Sequence, residues 1–408
     1  MLLQSLPLVF VLAGVALYTV LGGADLGAGF WQLASARDND GRSIREFAHR
    51  AMAPVWETNH VWLIFILTVL WTSYPKAFAS ITSTLAVPLF IALLGIVARG
   101  AAYALRAGAT TPRESGRIDS IFALSSILVP FALGTAIGGI ASNRVPVGNA
   151  AGHMWSSWLN STSIVIGILA VASSAYMAAV YLAADAAHDG EQTLERSFRL
   201  RALGSGVVAG AVAIAGVFVV NADDHHLFHS LLSGRALAAV IVSGLAGLAT
   251  LLFVYRRRYE LARYEASLAV AAIVAGWALS RWPTILPALT VHQAAADHDT
   301  LVCVVVAVLG GAVVLMPSLA VLFGLTVGGR FRDDERSAPE QGTGIRRAVN
   351  VRLLARVAVA CLIAGFGLLN IADAEWAHAV GVTCLLGFVG IGFCAIVVPA
   401  LDAQAADR

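Results

Sequence analysis

The feature that most constrains this chain is the recurrence of long apolar runs, each with the roughly 20 residues that a helix needs to cross a bilayer. Eleven such spans are expected, at about 5–33, 54–73, 79–105, 119–141, 160–184, 203–221, 236–255, 265–281, 301–327, 353–371 and 378–400. In hydrocarbon every backbone polar group must find its partner within the segment, so runs of this kind fold as helices. The sequence therefore predicts an all-α, polytopic transmembrane helical protein. Composition agrees: of 408 residues 58% are hydrophobic and 13% charged, a balance outside that of water-soluble domains.

Basic residues test the span count independently. Arg37, Arg42, Arg45 and Arg50 follow the first span, Arg106, Arg113 and Arg117 the third, and Arg196, Arg199 and Arg201 the fifth. Arg256, Arg257, Arg258 and Arg263 follow the seventh, and Arg330, Arg332, Arg336, Arg346, Arg347 and Arg352 the ninth. The intervening connections hold one each: Lys76, Arg144, Arg235 and Arg281. By the positive-inside rule this alternation predicts an N-terminus outside and a cytoplasmic C-terminus. Met1-Leu2-Leu3-Gln4 has no basic n-region and the first run carries Asp25, so a cleaved signal peptide is not expected. The net charge of +2 resides mainly in cytoplasmic loops, which leaves nucleic-acid binding without support.

Polar groups inside such spans are expensive and default to function. The most conspicuous are in Pro54-Val55-Trp56-Glu57-Thr58-Asn59-His60-Val61-Trp62, at the mouth of the second span. On a helix Glu57 lies three residues before His60 and Trp56 four, so the three share a face. Pro54 and Glu57 both suit a first turn, the latter through the positive end of the helix dipole. Asp25 lies between Gly23 and Gly27, a small-xxx-small surface that lets another helix approach and turns the carboxylate toward protein. Arg99, in the third span, has three open possibilities: to snorkel to the headgroups, to pair with Asp25, or to pair with Glu57. Glu57, Asp25 and His60 are thus candidates to pass protons inward, because a partly desolvated carboxylate can both accept and release a proton, and Trp56 and Asn59 belong to the same polar cluster as candidate proton-pathway residues. Arg99 is the candidate ion-pair partner.

Other polar groups read as bland. Asp185 is expected to be solvated at a helix end, Trp155 and Trp158 to be interfacial anchors, and the connection from Arg37 to Met52, with Arg45, Glu46, Phe47 and His49, to lie as an amphipathic helix along the interface. His225 and His229 have a spacing that could hold a metal, but with Asp223, Asp224, His292, Asp297, His298 and Asp299 they read as solvated loops. Cys303, Cys361, Cys384 and Cys394 fall in spans, show no metal or redox spacing, and read as small buried apolar residues. No P-loop, nucleophile elbow or zincin motif is present, and of ten histidines only His60 and His378 fall within spans, near their ends. The chain is therefore poorly equipped to hold haem, and neither catalytic residue, cofactor nor metal is expected in it.

Several motifs resemble subunit II of cytochrome bd quinol oxidase. They are Gly-Ala-Asp-Leu-Gly-Ala-Gly at 23–29, Pro-x-Trp-Glu-x-Asn-x-Val-Trp at 54–62, Tyr-Pro-x-Ala-Phe-Ala at 74–79, and Arg-Gly-x-Ala-Tyr-x-Leu-Arg at 99–106. Trp158-Leu159-Asn160 and Trp282-Pro283-x-x-Leu-Pro287 continue the likeness, which covers about residues 1–330. The resemblance implies a bacterial inner-membrane heterodimer whose partner, subunit I, carries b-type and d-type haems, oxidises quinol and reduces dioxygen to water. It implies for this chain a non-haem scaffold of two four-helix bundles plus a ninth helix, in which Trp56 and Glu57 match the family's Trp-acid pair of the cytoplasmic proton route. A structural quinone or lipid would be compatible. Asp25 matches the second acid of the family's Asp-Gly-Phe-Asp pattern, whereas the first is Gly22 here, which weakens any second route through the first helix.

The family pattern ends after nine spans. The organisation expected is a subunit II-like membrane domain over 1–328, a cytoplasmic linker over 329–349, and a two-helix extension over 350–408 that would pack where a separate one-helix accessory subunit otherwise binds. Two alternatives stand beside this reading. A secondary transporter would place ionisable groups mid-membrane in corresponding halves, and spans six to nine carry no charged pair at their centres. The other is a purely structural membrane scaffold.

Overall fold

The computed structural model describes residues 2–35, 41–52, 56–106, 111–327, 351–371 and 375–406. The chain divides into two compact units, Met1–Thr326 and Val327–Arg408.

In the first unit, α1 (Leu2–Leu17) runs through a π-helical turn (Tyr18–Gly22) into α2 (Gly23–Ala34). There follow α3 (Gly41–Met52), α4 (Trp56–Ser73), α5 (Pro75–Thr84), α6 (Ala86–Arg106), α7 (Pro112–Ala141), α8 (Ser161–His188) and α9 (Gln192–Asp223). The short α10 (His225–Leu231) leads to α11 (Gly234–Tyr255) and α12 (Tyr259–Arg281). A hairpin of β1 (Thr284–Leu286) and β2 (Leu289–Thr290), the single turn α13 (Val291–Ala294) and α14 (His298–Val327) complete the unit. Among the described residues eight helices are long and apolar enough to cross a membrane, and Asn59–Ser73, Arg356–Gly365 and Ala379–Gly392 are shorter apolar helices. This is a polytopic all-α membrane protein.

Local chemistry sets the element ends. Thr111 and Glu114 form a reciprocal capping box ahead of α7, Asn160 accepts the Ser163 N–H at 2.9 Å to start α8, and Asp224 caps α10. Pro75 cannot continue α4, and it draws Tyr74 out of the helical region (φ −137°, ψ 62°) before starting α5. The expected third span, 79–105, is therefore not one helix. Pro88 has no N–H for the residue-84 carbonyl, and the chain steps from α5 to α6 at Leu85. α9 begins eleven residues before the expected 203, so Arg196, Arg199 and Arg201 ride on its first turns instead of on a loop.

α8 is the centre of the packing. From Ala175 to Ala186 all but Tyr181 and Asp185 are buried, as in a helix surrounded on every side by protein. α2, α7, α9 and α12 pack against it, α6 packs on α7, α4 on α1, and α11 on both α9 and α12. Ile44 and Phe47 of α3 bury against this core, with the Phe47 and Phe198 rings 6.0 Å apart. At the end of the unit opposite the arginine-rich connections, Tyr74, Leu85, Val145, Trp158, Leu286, Leu289 and Val291 form a second apolar cluster built largely from connections. Trp158 belongs to this cluster and not to an interfacial belt, whereas Trp155 is exposed. The indole is satisfied inside the cluster, since Trp158 Nε1 donates to the Met154 carbonyl at 3.0 Å. Cys303 is exposed on α14, contrary to the expected burial.

The second unit is a helical hairpin of α15 (Val351–Ile371) and α16 (Glu375–Ala406). Gly365 faces Leu385 and the Gly381 carbonyl too closely for a side chain. The expected linker, 329–349, lies outside the described residues.

Candidate functional site

Asp25 and Arg99 form the chemical centre of the first unit. Each is 1% exposed. Arg99 Nη1 and Nη2 each donate to one Asp25 carboxylate oxygen at 2.7 Å, Nη2 also reaches the Asp25 carbonyl at 3.1 Å, and Nε donates to Ser126 Oγ at 3.1 Å. The guanidinium lies 4.4 Å from the centre of the Phe122 ring. Of the three possibilities open for Arg99, the structure takes the pair with Asp25. A bidentate, fully hydrogen-bonded pair is the form in which two charges can be held away from water.

Small residues bring these groups together. A Cβ on Gly27 would overlap the Ser174 carbonyl of α8, and one on Gly29 would overlap Ser126 of α7. The close approach expected at Gly23 and Gly27 thus belongs to Gly27 and to Gly29, while Gly23 has ordinary room beside Ser174. Trp31 locks the same interface by donating its indole N–H to the Ala175 carbonyl at 2.8 Å.

One turn before Asp25 the helix widens into the π-helical turn, a distortion common at functional sites. The buried Asn59 donates its side-chain amide to the Leu21 carbonyl of that turn at 3.3 Å. His60 is half-buried, with its ring 6.2 Å from that of Tyr18. α4 begins at Trp56, so Trp56, Glu57 and His60 do share the first turns of one helix, but the side chains of Trp56 and Glu57 lie outside the described residues. The structure therefore gathers Asp25, Arg99, Asn59 and His60 at the arginine-rich end of α2, α4 and α6. Sequence reasoning missed Tyr18, Ser126 and Phe122. Tyr18 carried a signal, since it lies four and seven residues before Gly22 and Asp25, on one helical stripe.

A second polar cluster was also missed. Glu195, buried at the start of α9, accepts from the Tyr259 hydroxyl and lies 3.7 Å from Arg257 Nε. These three residues help line a cavity of about 400 Å³ with Gln192 and Arg196. Nearby, Asp185 is not simply solvated: it pairs with Arg263 of α12, which also donates to the Tyr181 carbonyl at 2.9 Å.

At the opposite end the acid-rich loop is structural. Asp223 binds Arg144 at 2.7 Å and the Thr162 hydroxyl at 2.6 Å, and Asp224 accepts from Asn143 at 3.1 Å. Among the described residues no group of three or more His, Cys, Asp or Glu side chains could hold a metal ion.

The family model described as cytochrome bd terminal oxidase subunit II matches residues 3–326. The chain belongs to that family. Residues beyond the match extend it at the C-terminus. It is 23% identical over 244 residues to a candidate cytochrome bd menaquinol oxidase subunit II of Bacillus subtilis (strain 168), covering 58% of this chain and 69% of that one. It also shares the fold of a chain in the structure of bd oxidase from Geobacillus thermodenitrificans, with a TM-score of 0.63 at 22% identity, over 80% of this chain and 99% of that chain. Membership in the cytochrome bd subunit II family makes it a multi-pass membrane component of an oxidoreductase complex, partnered with subunit I.

Proposed function

We propose that this chain is the non-haem subunit of a bacterial cytochrome bd-type quinol:oxygen oxidoreductase. It stabilises the haem-bearing subunit I and contributes to the cytoplasmic delivery of the protons consumed when dioxygen becomes water. The haems, quinol oxidation and dioxygen reduction belong to the partner. In this reading the first unit forms two four-helix bundles and a ninth helix, its arginine-rich end faces the cytoplasm, and α15 and α16 pack where an accessory subunit would otherwise bind.

The observation that carries the proton role is the convergence of Asp25, Arg99, Asn59 and His60 on a π-helical turn at that end. Protons enter at Glu57 in the first turn of α4, with Trp56 beside it in sequence, and pass Asn59 and His60. Arg99 holds both carboxylate oxygens of Asp25, so this pair fixes charge and geometry beside the route. The same engagement favours a second reading, in which the cluster only scaffolds the bundle. The deciding experiment is oxygen uptake by the purified complex carrying Glu57→Ala, normalised to haem. A loss of turnover at unchanged haem spectrum supports proton delivery; full turnover leaves the scaffold.

A further inference from the structure

One buried polar group at this site has no role in the route just described. Tyr18 opens the π-helical turn and is 8% exposed, yet its hydroxyl meets no hydrogen-bond partner among the described residues. Leaving a buried hydroxyl unpaired costs about 1–3 kcal/mol, and phenylalanine would fill the same space without that cost. The side chain is also deliberately accommodated. A Cβ on Gly22 would stand 3.1 Å from the Tyr18 ring, tighter than ordinary contact, so the ring lies along its own helix where glycine leaves it room. The ring also neighbours that of His60, with centroids 6.2 Å apart, and the next turn of the helix carries Asp25.

We propose that the Tyr18 hydroxyl is a relay group of the proton route, exchanging protons through ordered water between the His60 side of the site and the space beside the Asp25–Arg99 pair, which itself stays ionised. The inference rests on the proton-delivery reading above. A phenolic hydroxyl is both donor and acceptor at one atom, which is what a relay needs. As its oxygen takes a proton from one water, its own proton passes to the next; one O–H bond forms, one breaks, and no electron moves. Rotation about the C–O bond then restores the starting orientation. Sparsely partnered geometry suits this motion, because a hydroxyl locked to a backbone carbonyl would not turn.

The test uses the complete, purified oxidase complex carrying Tyr18→Phe, with Glu57→Gln prepared in parallel. Oxygen uptake per haem is read with a reduced quinol analogue in H2O and in D2O, together with the haem spectrum and the thermal inactivation midpoint. Tyr18→Phe is expected to keep the haem spectrum and to be as stable as the parent or more so. Its turnover falls on the order of tenfold, less than the full worth of a proton-transfer group because water can partly span the gap, and its solvent isotope effect rises. Unchanged turnover and isotope effect in Tyr18→Phe, beside a slowed Glu57→Gln, would overturn the relay while leaving proton delivery standing. Lost turnover accompanied by lower stability and an unchanged isotope effect would also overturn it, as a packing defect. If neither variant is slowed, the proton-delivery reading itself fails and the relay with it.

Discussion

Removing the Arg99 guanidinium would strand the Asp25 carboxylate where it is 1% exposed, with no other described side chain on its oxygens. Breaking a buried pair in this way costs about 3–5 kcal/mol, whereas replacing both partners by apolar groups is often neutral. Arg99→Ala should therefore lower the thermal inactivation midpoint and the yield of complex sharply, and Asp25→Leu/Arg99→Leu should recover most of the loss. Equal stability of the single and double variants would show that the stranded charge is not the cause. Tyr74 poses a second residue-scale test. Its hydroxyl accepts the Leu8 N–H at 3.0 Å and donates to the Gln4 carbonyl at 2.6 Å, so it stands between the two groups that an α-helix would join directly. Pro7, which lacks an N–H of its own, lies within this opened turn of α1. Burial pushes the Tyr74 phenol up from its ordinary range, so the proton that it donates is retained. Tyr74→Phe leaves a partly buried donor and acceptor without this bridge and should cost about 1 kcal/mol, read as a lowered inactivation midpoint with an unchanged haem spectrum.

At the scale of elements, the contact between α2 and α8 is the one that the glycines make possible. Gly27→Ala drives a methyl group into the Ser174 carbonyl, which is backbone and cannot rotate away. Overpacking of this kind costs about 1–3 kcal/mol, and here it also pulls Asp25 from the α6 and α7 groups that fix Arg99. The expected result is less assembled complex and a lowered midpoint, whereas Gly23→Ala, at a position with ordinary room, should be close to neutral. Measuring the two together checks that the effect comes from approach distance and not from loss of glycine as such. The breaks between α4, α5 and α6 show another side of element-level control. Pro75 and Pro88 are visible in the sequence, but an apolar run hides the step at Leu85, because hydropathy averages over the window in which the break occurs.

At the scale of the whole molecule, the family match ends at 326 and the hairpin of α15 and α16 lies beyond it. If this extension substitutes for an accessory subunit, a chain lacking 350–408 should still insert but yield a complex with lower turnover or lower haem retention. A truncated complex equal to the full one in both would remove that proposal. The class of protein, the family and most of the spans were legible in the sequence, since roughly 20 apolar residues in a row and a run such as 23–29 are local properties of the chain. The polar residues worth watching were legible for the same reason: a charge in an apolar run is conspicuous wherever it ends up. Which partner Arg99 takes was not, because Asp25 lies 74 residues away and the choice depends on where α2, α6 and α7 meet. Burial of Trp158, pairing of Asp185 with Arg263, and a Tyr18 hydroxyl without a hydrogen-bond partner among the described residues were likewise decided by the packed bundle. Sequence alone determined that this chain lies in a membrane and carries a few costly polar groups; only the tertiary structure decided which of them meet, because a contact between helices is a property of both chains of side chains and of the space left between them.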